Sequence, residues 1–599
     1  MTKPEILFEA SWEVCNKVGG IYTVIKSKSA LMVENYKNNY FLIGPYFKDQ
    51  AKFEFKIKEL PEPLQEVFNE LKNQGIICHY GEWTTTKGNP QTILIEFQGL
   101  INEKNKIKSD LWDNFKVDSL FSQWDFEEPL LWATAVGKLV ELYSNKNNSQ
   151  IVLHCHEWLA GFALLYLKMN KAKVATIFTT HATMLGRTLS AIGNEIYNNI
   201  ESINADEEAR KNNVIDKHST EKACAISSDV FTTVSEITSM EAEHFLGKKP
   251  DVLLLNGLDI DQFPSFEETS ILHQQNREKI REFIAYYFFP YYYFDIEQTL
   301  IFFIVGRYEF KNKGIDLFIK SLSKLNNILA EEKSKKTVIA FLWIPTQVES
   351  AKQTLAKNKL NYHQIKHFVE QNSKLFQSRL IENILECVGT ECLTEEENFH
   401  YQVFDENFLQ EVRKLRINFA KEGSPPLITH NIPNENNDAI IKSLLENGLN
   451  NSKNNKVKII FYPVYLNGID GLLDLPYYDA ISGCHMGLFP SYYEPWGYTP
   501  LESSAWGVPS LTTDLGGFGR FLMSKNKTES GVFVLKRFKR NEDEIIDDFT
   551  RIMHNFTKLN RKGRVEEKII AKEISNLADW KILIENYIKA HELAITKVY

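Results

Sequence analysis

The sequence predicts an α/β chain built from two Rossmann-like parallel-sheet domains that face a cleft, and three observations carry that expectation. Short apolar runs alternate with helical patterns in both halves, unusual residues cluster directly after those runs, and 599 residues with 43% hydrophobic content exceed what one core holds. In the first half the strand-like runs are EILFE from Glu5, IVLHC from Ile151, VATIF from Val174, DVFTTV from Asp229 and VLLL from Val252. They are followed by Lys17, Gly19 and Gly20; by His156 and Glu157; by His181 and Arg187; by Ser235 and Glu236; and by Asn256 and Gly257. In an open α/β sheet ligands bind beyond the carboxyl ends of the strands, so these distant residues are expected to converge on one crevice.

The second half repeats the pattern with TLIFFIV, VIAFLWI, VKIIFYPV, MGLFP and PSLTT, beginning at Thr299, Val338, Val457, Met486 and Pro509. Residues 350–450 are rich in Glu, Lys, Asn and Gln with apolar positions at helical intervals, which predicts a helical insertion in the second sheet. The stretch IIAKEISNLADWKILIENYIKAHELA returns to helical spacing and is expected to pack back on the first domain. The expected boundaries are 1–265 for the first domain, completed by helices within 572–599, and 290–571 for the second. The aromatic run AYYFFPYYYFD, Ala285 to Asp295, is read as a packing seam, since large rings dominate buried contacts.

Composition excludes several classes. A net charge of −9 and a pI near 6.0 argue against a nucleic-acid binder. The apolar runs are strand-length, and the first residues show no basic region followed by a long apolar core, so no membrane role is expected. Seven cysteines without CxxC or zinc spacing suit free thiols in a reducing cytoplasm.

The run SYYEPWGYTPLESSAWGVPS, residues 491–510, sets Glu494 and Glu502 around a strand-to-helix turn. Thr499 reads as the N-cap, Pro500 as the first helical residue, and Glu502 as either a capping-box carboxylate or a ligand contact. Glu494 precedes the helix and has no such structural role. The helix N-terminus offers N–H groups and partial positive charge, which suits a phosphate without a metal. Arg307 and Lys313 in GRYEFKNKG lie at a second helix entrance and read as a phosphate clamp or as surface charge. HCH at 154–156 puts two imidazoles on one strand face, but no third ligand is evident nearby and no metal is expected. The glycine pairs in KVGG and GGFG are weak signals alone.

Taken together, EASWEVCNKVGGIYTVIKSKS, HCHEW, FTTHATMLGR, LLNGLDI, GRYEFKNKG and PSYYEPWGYTPLE resemble the glycogen synthases of the animal and fungal type, over nearly the whole chain. These are retaining glucosyltransferases that use UDP-glucose; the ADP-glucose enzymes of bacteria and plants carry KTGG where this chain reads KVGG. The resemblance implies a GT-B architecture, with the donor between the two domains, no metal or other cofactor, and a glycogen or α-1,4-glucan primer as acceptor. It implies that Glu494 is needed for transfer, that Glu502 binds the donor ribose, and that Arg187, Arg307 and Lys313 neutralise the diphosphate beside the Gly497–Tyr498–Thr499 helix start. His181 is placed against the glucose, Tyr477 and Tyr465 beside the uracil, and Gly20 and Asn256 among the donor contacts. A homotetramer is implied by resemblance alone.

Two departures stand out. In FTKLNRKGRVEEKIIAKEIS, Glu566, Glu567 and Glu573 interrupt the basic run that in relatives binds glucose 6-phosphate, leaving Arg561, Lys562 and Arg564 and arguing against that activation. The short ends argue against phosphorylated extensions and suggest a bacterial member. A hydrolase using Glu494 and Glu502 as its acid pair would leave Arg187, Arg307 and Lys313 without a ligand.

Overall fold

The structure is a computed structural model that describes residues 3–386 and 404–599; Cys387 and Cys392 lie outside the described residues. The other five cysteines are free thiols. No helix among the described residues is long and apolar enough to cross a membrane.

The first sheet has nine strands: β1 (Ile6–Ala10), β2 (Tyr40–Pro45), β3 (Phe55–Ile57), β4 (Ile77–Trp83), β5 (Gln91–Glu96), β6 (Ile151–His156), β7 (Ala175–Thr180), β8 (Val230–Thr233) and β9 (Val252–Leu253). Their order is β3-β4-β5-β2-β1-β6-β7-β8-β9. From β5 to β9 every neighbour is parallel, while β3, β4 and β5 form an antiparallel edge. Strands β2 to β5 are absent from the sequence expectation. Strand β4, between β3 and β5, is only half-covered and reads ICHYGEW, a mixed run whose place depends on its two neighbours rather than on its own apolar content.

The second sheet contains β10 (Thr299–Val305), β11 (Thr337–Trp343), β14 (Val457–Tyr462), β15 (Met486–Leu488), β16 (Ser510–Thr513), β17 (Glu529–Ser530) and β18 (Val532–Leu535), in the order β14-β11-β10-β15-β16-β18-β17. The pair β12 (Ser350–Ala351) and β13 (His430–Asn431) closes the base of the insertion. Among the described residues the insertion contributes helices Gln353–Glu386 and Glu406–Phe419. It ends sooner than the composition suggests: Ile428, Ile440, Ile441 and Leu444 return to the core.

Helix Phe266–Phe288 starts at a capping box, with Ser265 and Glu268 each serving the other's backbone N–H. Tyr286, Tyr287, Phe288 and Tyr292 of the aromatic run are buried against β11 and β14, so that run packs the second domain. The final helix, Trp580–Val598, packs on the first sheet beside helix Gly20–Tyr36, in a core holding Ile25, Val152, Ile177 and Tyr587. The crossing is pinned where Leu258 bridges Asp579, with backbone bonds from Leu258 to Ala578 and from Trp580 to Leu258.

Candidate active site

Between the two sheets lies a cleft of about 860 Å³, lined from the first domain by Glu13, Gly20, Glu157, His181, Arg187 and Asn256, and from the second by Arg307, Lys313, Glu494, Gly497 and Tyr498. An adjoining hollow of about 210 Å³ shares Arg307, Lys313, Glu494 and Tyr498 and adds Gly306, Ser491 and Thr499. The loops after β1, β6, β7, β10 and β15 supply most of these residues, as expected for an open α/β sheet.

Glu494 is held by its backbone. Gly517 N–H donates to the Glu494 carbonyl at 3.1 Å and Phe518 N–H to that of Trp496 at 2.7 Å. Gly517 has to be glycine, since a Cβ would lie 2.3 Å from the Pro495 carbonyl and 2.6 Å from Cβ of Ser235 in the first domain. The loop carrying Lys313 is stitched to the same segment: Tyr492 N–H donates to the Asn312 carbonyl, and Gly314, at φ +66°, lies where a Cβ would meet the Pro490 carbonyl at 2.1 Å. Lys313 Nζ thereby reaches Glu494 Oε2 at 2.6 Å.

The helix after Glu494 departs from its sequence reading. It runs Tyr498–Ala505 and its N-cap is Gly497, at φ +107°, with no side-chain cap. Thr499 and Pro500 are therefore the second and third helical residues. Only glycine enters that conformation without strain, so the turn falls two residues earlier than the Thr–Pro signal indicates. Glu502 caps nothing: its Oε1 accepts from Tyr478 OH at 3.0 Å. Burial raises its pKa to about 7, against the opposing hydrogen bond from Tyr478.

On the opposite wall Thr183 caps helix Met184–Ala191 through the Gly186 N–H and so sets the start of the helix that carries Arg187. Arg187 is exposed to the cleft but walled in by protein. Burial acts to lower its pKa, yet Glu157, Tyr493, Glu221 and Glu13 together hold it above the usual guanidinium value. Glu13 accepts from the N–H groups of Gly19 and Tyr22, both at 2.8 Å, and Glu157 from those of His181 and Ala182. Glu157 has φ +63°, a left-handed conformation unfavourable to a side chain, at the first position of its helix.

Sequence reading missed Glu221 and Glu241, which stand on helices with no loop signal. Buried Glu241 accepts from Tyr197 OH at 2.5 Å, Thr183 Oγ1 at 2.8 Å and, across the domain boundary, Tyr493 OH at 3.2 Å. It therefore links the Arg187 helix to the Glu494 loop. Burial raises its pKa to about 7 against those three hydrogen bonds.

The HCH pair does have a third potential ligand: Glu9, with ligand atoms of Glu9, His154 and His156 within 4.8 Å of one another. The cation there is an ammonium. Lys28 Nζ lies 2.5 and 2.7 Å from the two Glu9 oxygens, with neither side chain exposed. A donor set whose carboxylate is already bonded to lysine, tyrosine and imidazole does not suit a metal.

The remaining expected donor contacts divide. Asn256 lines the cleft, but its Oδ1 is sealed from the cleft and has no hydrogen-bond partner among the described residues. Gly20 opens helix Gly20–Tyr36 with nothing near its missing Cβ. Arg307 is 77% exposed and pairs with Glu309 at 3.0 Å. Tyr477 is half-buried near Glu502 but lines neither cavity. Tyr465 is 77% exposed and lines neither cavity. Away from both cavity linings, Arg277 and Lys568 join Arg564 near His273 and His485. The interruption by Glu567 matters less than its sequence suggests, since Glu567 is engaged by Ser530 and the Gly531 N–H.

The glycogen synthase family profile matches residues 9–599 of this chain. The chain belongs to the glycogen synthase family. A glycogen [starch] synthase of Neurospora crassa is 36% identical over 601 residues, spanning 100% of this chain and 84% of its own. The human liver glycogen [starch] synthase is 34% identical over 598 residues, spanning 99% and 84%. Among solved structures, the catalytic domain of starch synthase IV from Arabidopsis thaliana, bound to ADP and acarbose, aligns with a TM-score of 0.51 at 13% identity, covering 99% of this chain and 100% of that one. The fold is thus the GT-B glycosyltransferase architecture, as the resemblance implied.

Proposed function

We propose that the protein is a retaining glucosyltransferase that moves glucose from UDP-glucose to the non-reducing 4-hydroxyl of glycogen or another α-1,4-glucan. The observation that carries this reading is the Lys313–Glu494 pair at the meeting point of the two cavities, facing Arg187 and His181 across the cleft. A diphosphate entering the smaller hollow competes for Lys313, leaves Glu494 to face the sugar, and meets the helix start at Gly497 with Arg307 at its rim. The glucose–phosphate bond then breaks with its electron pair passing to UDP, where cations and helix dipole stabilise the developing charge without a metal. The acceptor hydroxyl attacks from the same side and its proton passes to the departing phosphate oxygen. Glu502 beside Tyr478 would receive the ribose hydroxyls.

The test is incorporation of glucose from UDP-glucose or ADP-glucose, with and without glycogen, in the native protein and Glu494→Gln. The substitution should lower kcat by about 10²–10³-fold. Absence of transfer from either donor would sink the reading, and ADP-glucose as the better donor would revise it. The same proposal takes the protein to be a cytoplasmic homotetramer. Its support is the resemblance and the exposed Val369, Leu380 and Ile417 on the inserted helices, and light scattering reports its mass.

A further inference from the structure

The buried network behind His181 extends well beyond any contact a sugar would make. Glu9 stands in the middle of the first sheet, and its two oxygens accept from Lys28 Nζ, Tyr40 OH at 2.5 Å and His156 Nε2 at 2.6 Å. Burial alone would raise its pKa, but Lys28 and the hydrogen bond from His156 hold the carboxyl well below the usual range. An ionised carboxylate only accepts, so His156 carries a proton on Nε2.

That proton decides the rest of the chain. Burial keeps His156 neutral despite Glu9, so its Nδ1 is a bare lone pair. The Nδ1 of His156 lies 2.9 Å from Nε2 of His181, a contact that is a hydrogen bond only when His181 donates from Nε2. Burial, with His156, Lys28 and Arg187 as neighbours, holds His181 well below the imidazole range and leaves it one N–H. Its Nδ1 has no partner among the described residues and is not among the sealed, unpartnered atoms, so it opens on the cleft.

We propose that Glu9 and His156 are positioning residues that fix His181 in its Nε2–H tautomer, presenting the cleft with a ring nitrogen that only accepts a hydrogen bond from a sugar hydroxyl. This rests on reading the cleft as the glucosyl site. The opposite tautomer would point an N–H at the sugar and would prefer an acceptor there. A hydroxyl replaced by fluorine cannot donate, so the selection is chemically specific.

The first measurement needs no turnover and so stands apart from the synthase reading. Full-length protein with ring-¹⁵N histidine, with His181 assigned by loss of its signals in His181→Gln, should show His181 and His156 each protonated on Nε2 alone near neutral pH. An Nδ1–H or doubly protonated His181 overturns the proposal. The second uses UDP-glucose analogues with one hydroxyl at a time replaced by fluorine. One analogue should lose about tenfold or more in kcat/KM with the native protein, and His156→Leu, which cannot accept from His181, should bring that ratio close to one. His156→Gln should restore it, since its amide offers one donor and one acceptor. A flat fluorine series, or His156→Leu slowing every analogue equally, overturns the proposal by reducing the network to structural support. Should His156→Leu fail to fold, the tautomer measurement decides.

Discussion

The two walls of the cleft are built on different electrostatic plans. The first-domain wall rests on groups that bond one another in a dry interior, Glu9 with Lys28, Tyr40 and His156, and His156 with His181, leaving the outer ring nitrogen of His181 to the cleft. The second-domain wall holds its charges in exchangeable pairs, Lys313 with Glu494 and Arg307 with Glu309, at a wet surface. On the proposed function, the contrast separates two tasks. A sugar needs fixed hydrogen-bonding groups, whereas an entering and leaving diphosphate needs cations whose partners can be displaced.

The largest effect expected from breaking this contrast falls on the dry wall. Lys28→Met leaves Glu9 buried without its counter-charge and should cost about 3–5 kcal/mol of stability, read as a lower denaturant midpoint. A change below about 1 kcal/mol would show that the pair is not the buried charge it is taken to be. Arg307→Ala tests the wet wall. It should leave the denaturant midpoint nearly unchanged, because an exposed pair contributes about 0–1 kcal/mol, yet weaken UDP binding by about 1.5–3 kcal/mol in calorimetry. Unaltered UDP affinity would remove Arg307 from the clamp. The smallest effect concerns Glu502. With its pKa raised to about 7 by burial, its ionised acceptor form grows as pH rises through that value. UDP should therefore bind about tenfold more tightly at pH 8 than at pH 6, and Glu502→Gln should abolish the slope. A slope retained in Glu502→Gln would assign it to another group.

The same contrast explains what the sequence discloses. Residues of the wet wall follow apolar strands directly, as Arg307 follows TLIFFIV and Glu494 follows MGLFP, so topology places them. On the dry wall His156 and His181 also follow strands, but the groups behind them, Glu9 and Lys28, carry no local signal. Glu9 reads as part of an apolar strand, Lys28 as one of two lysines on a helix, and their pairing across 19 residues exists only after β1 and that helix pack. Glu241 is similarly silent, because its three hydroxyl partners come from three separate segments. The misplaced helix start at Thr499 has a different cause: a good Ser/Thr–Pro cap signal lost to a glycine two residues earlier that the turn required. Strand β4 escaped notice because, half-covered at the antiparallel margin of the sheet, it carries little apolar content of its own.

The last helix gives the fold a schedule. Residues 580–598 fill the same core as helix Gly20–Tyr36, and His591 hydrogen-bonds Tyr36 at 2.8 Å and lies 3.4 Å from His154. During synthesis on the ribosome that core stays open while more than 300 intervening residues are made, so the histidine cluster behind the cleft is completed only after the second domain has been synthesised.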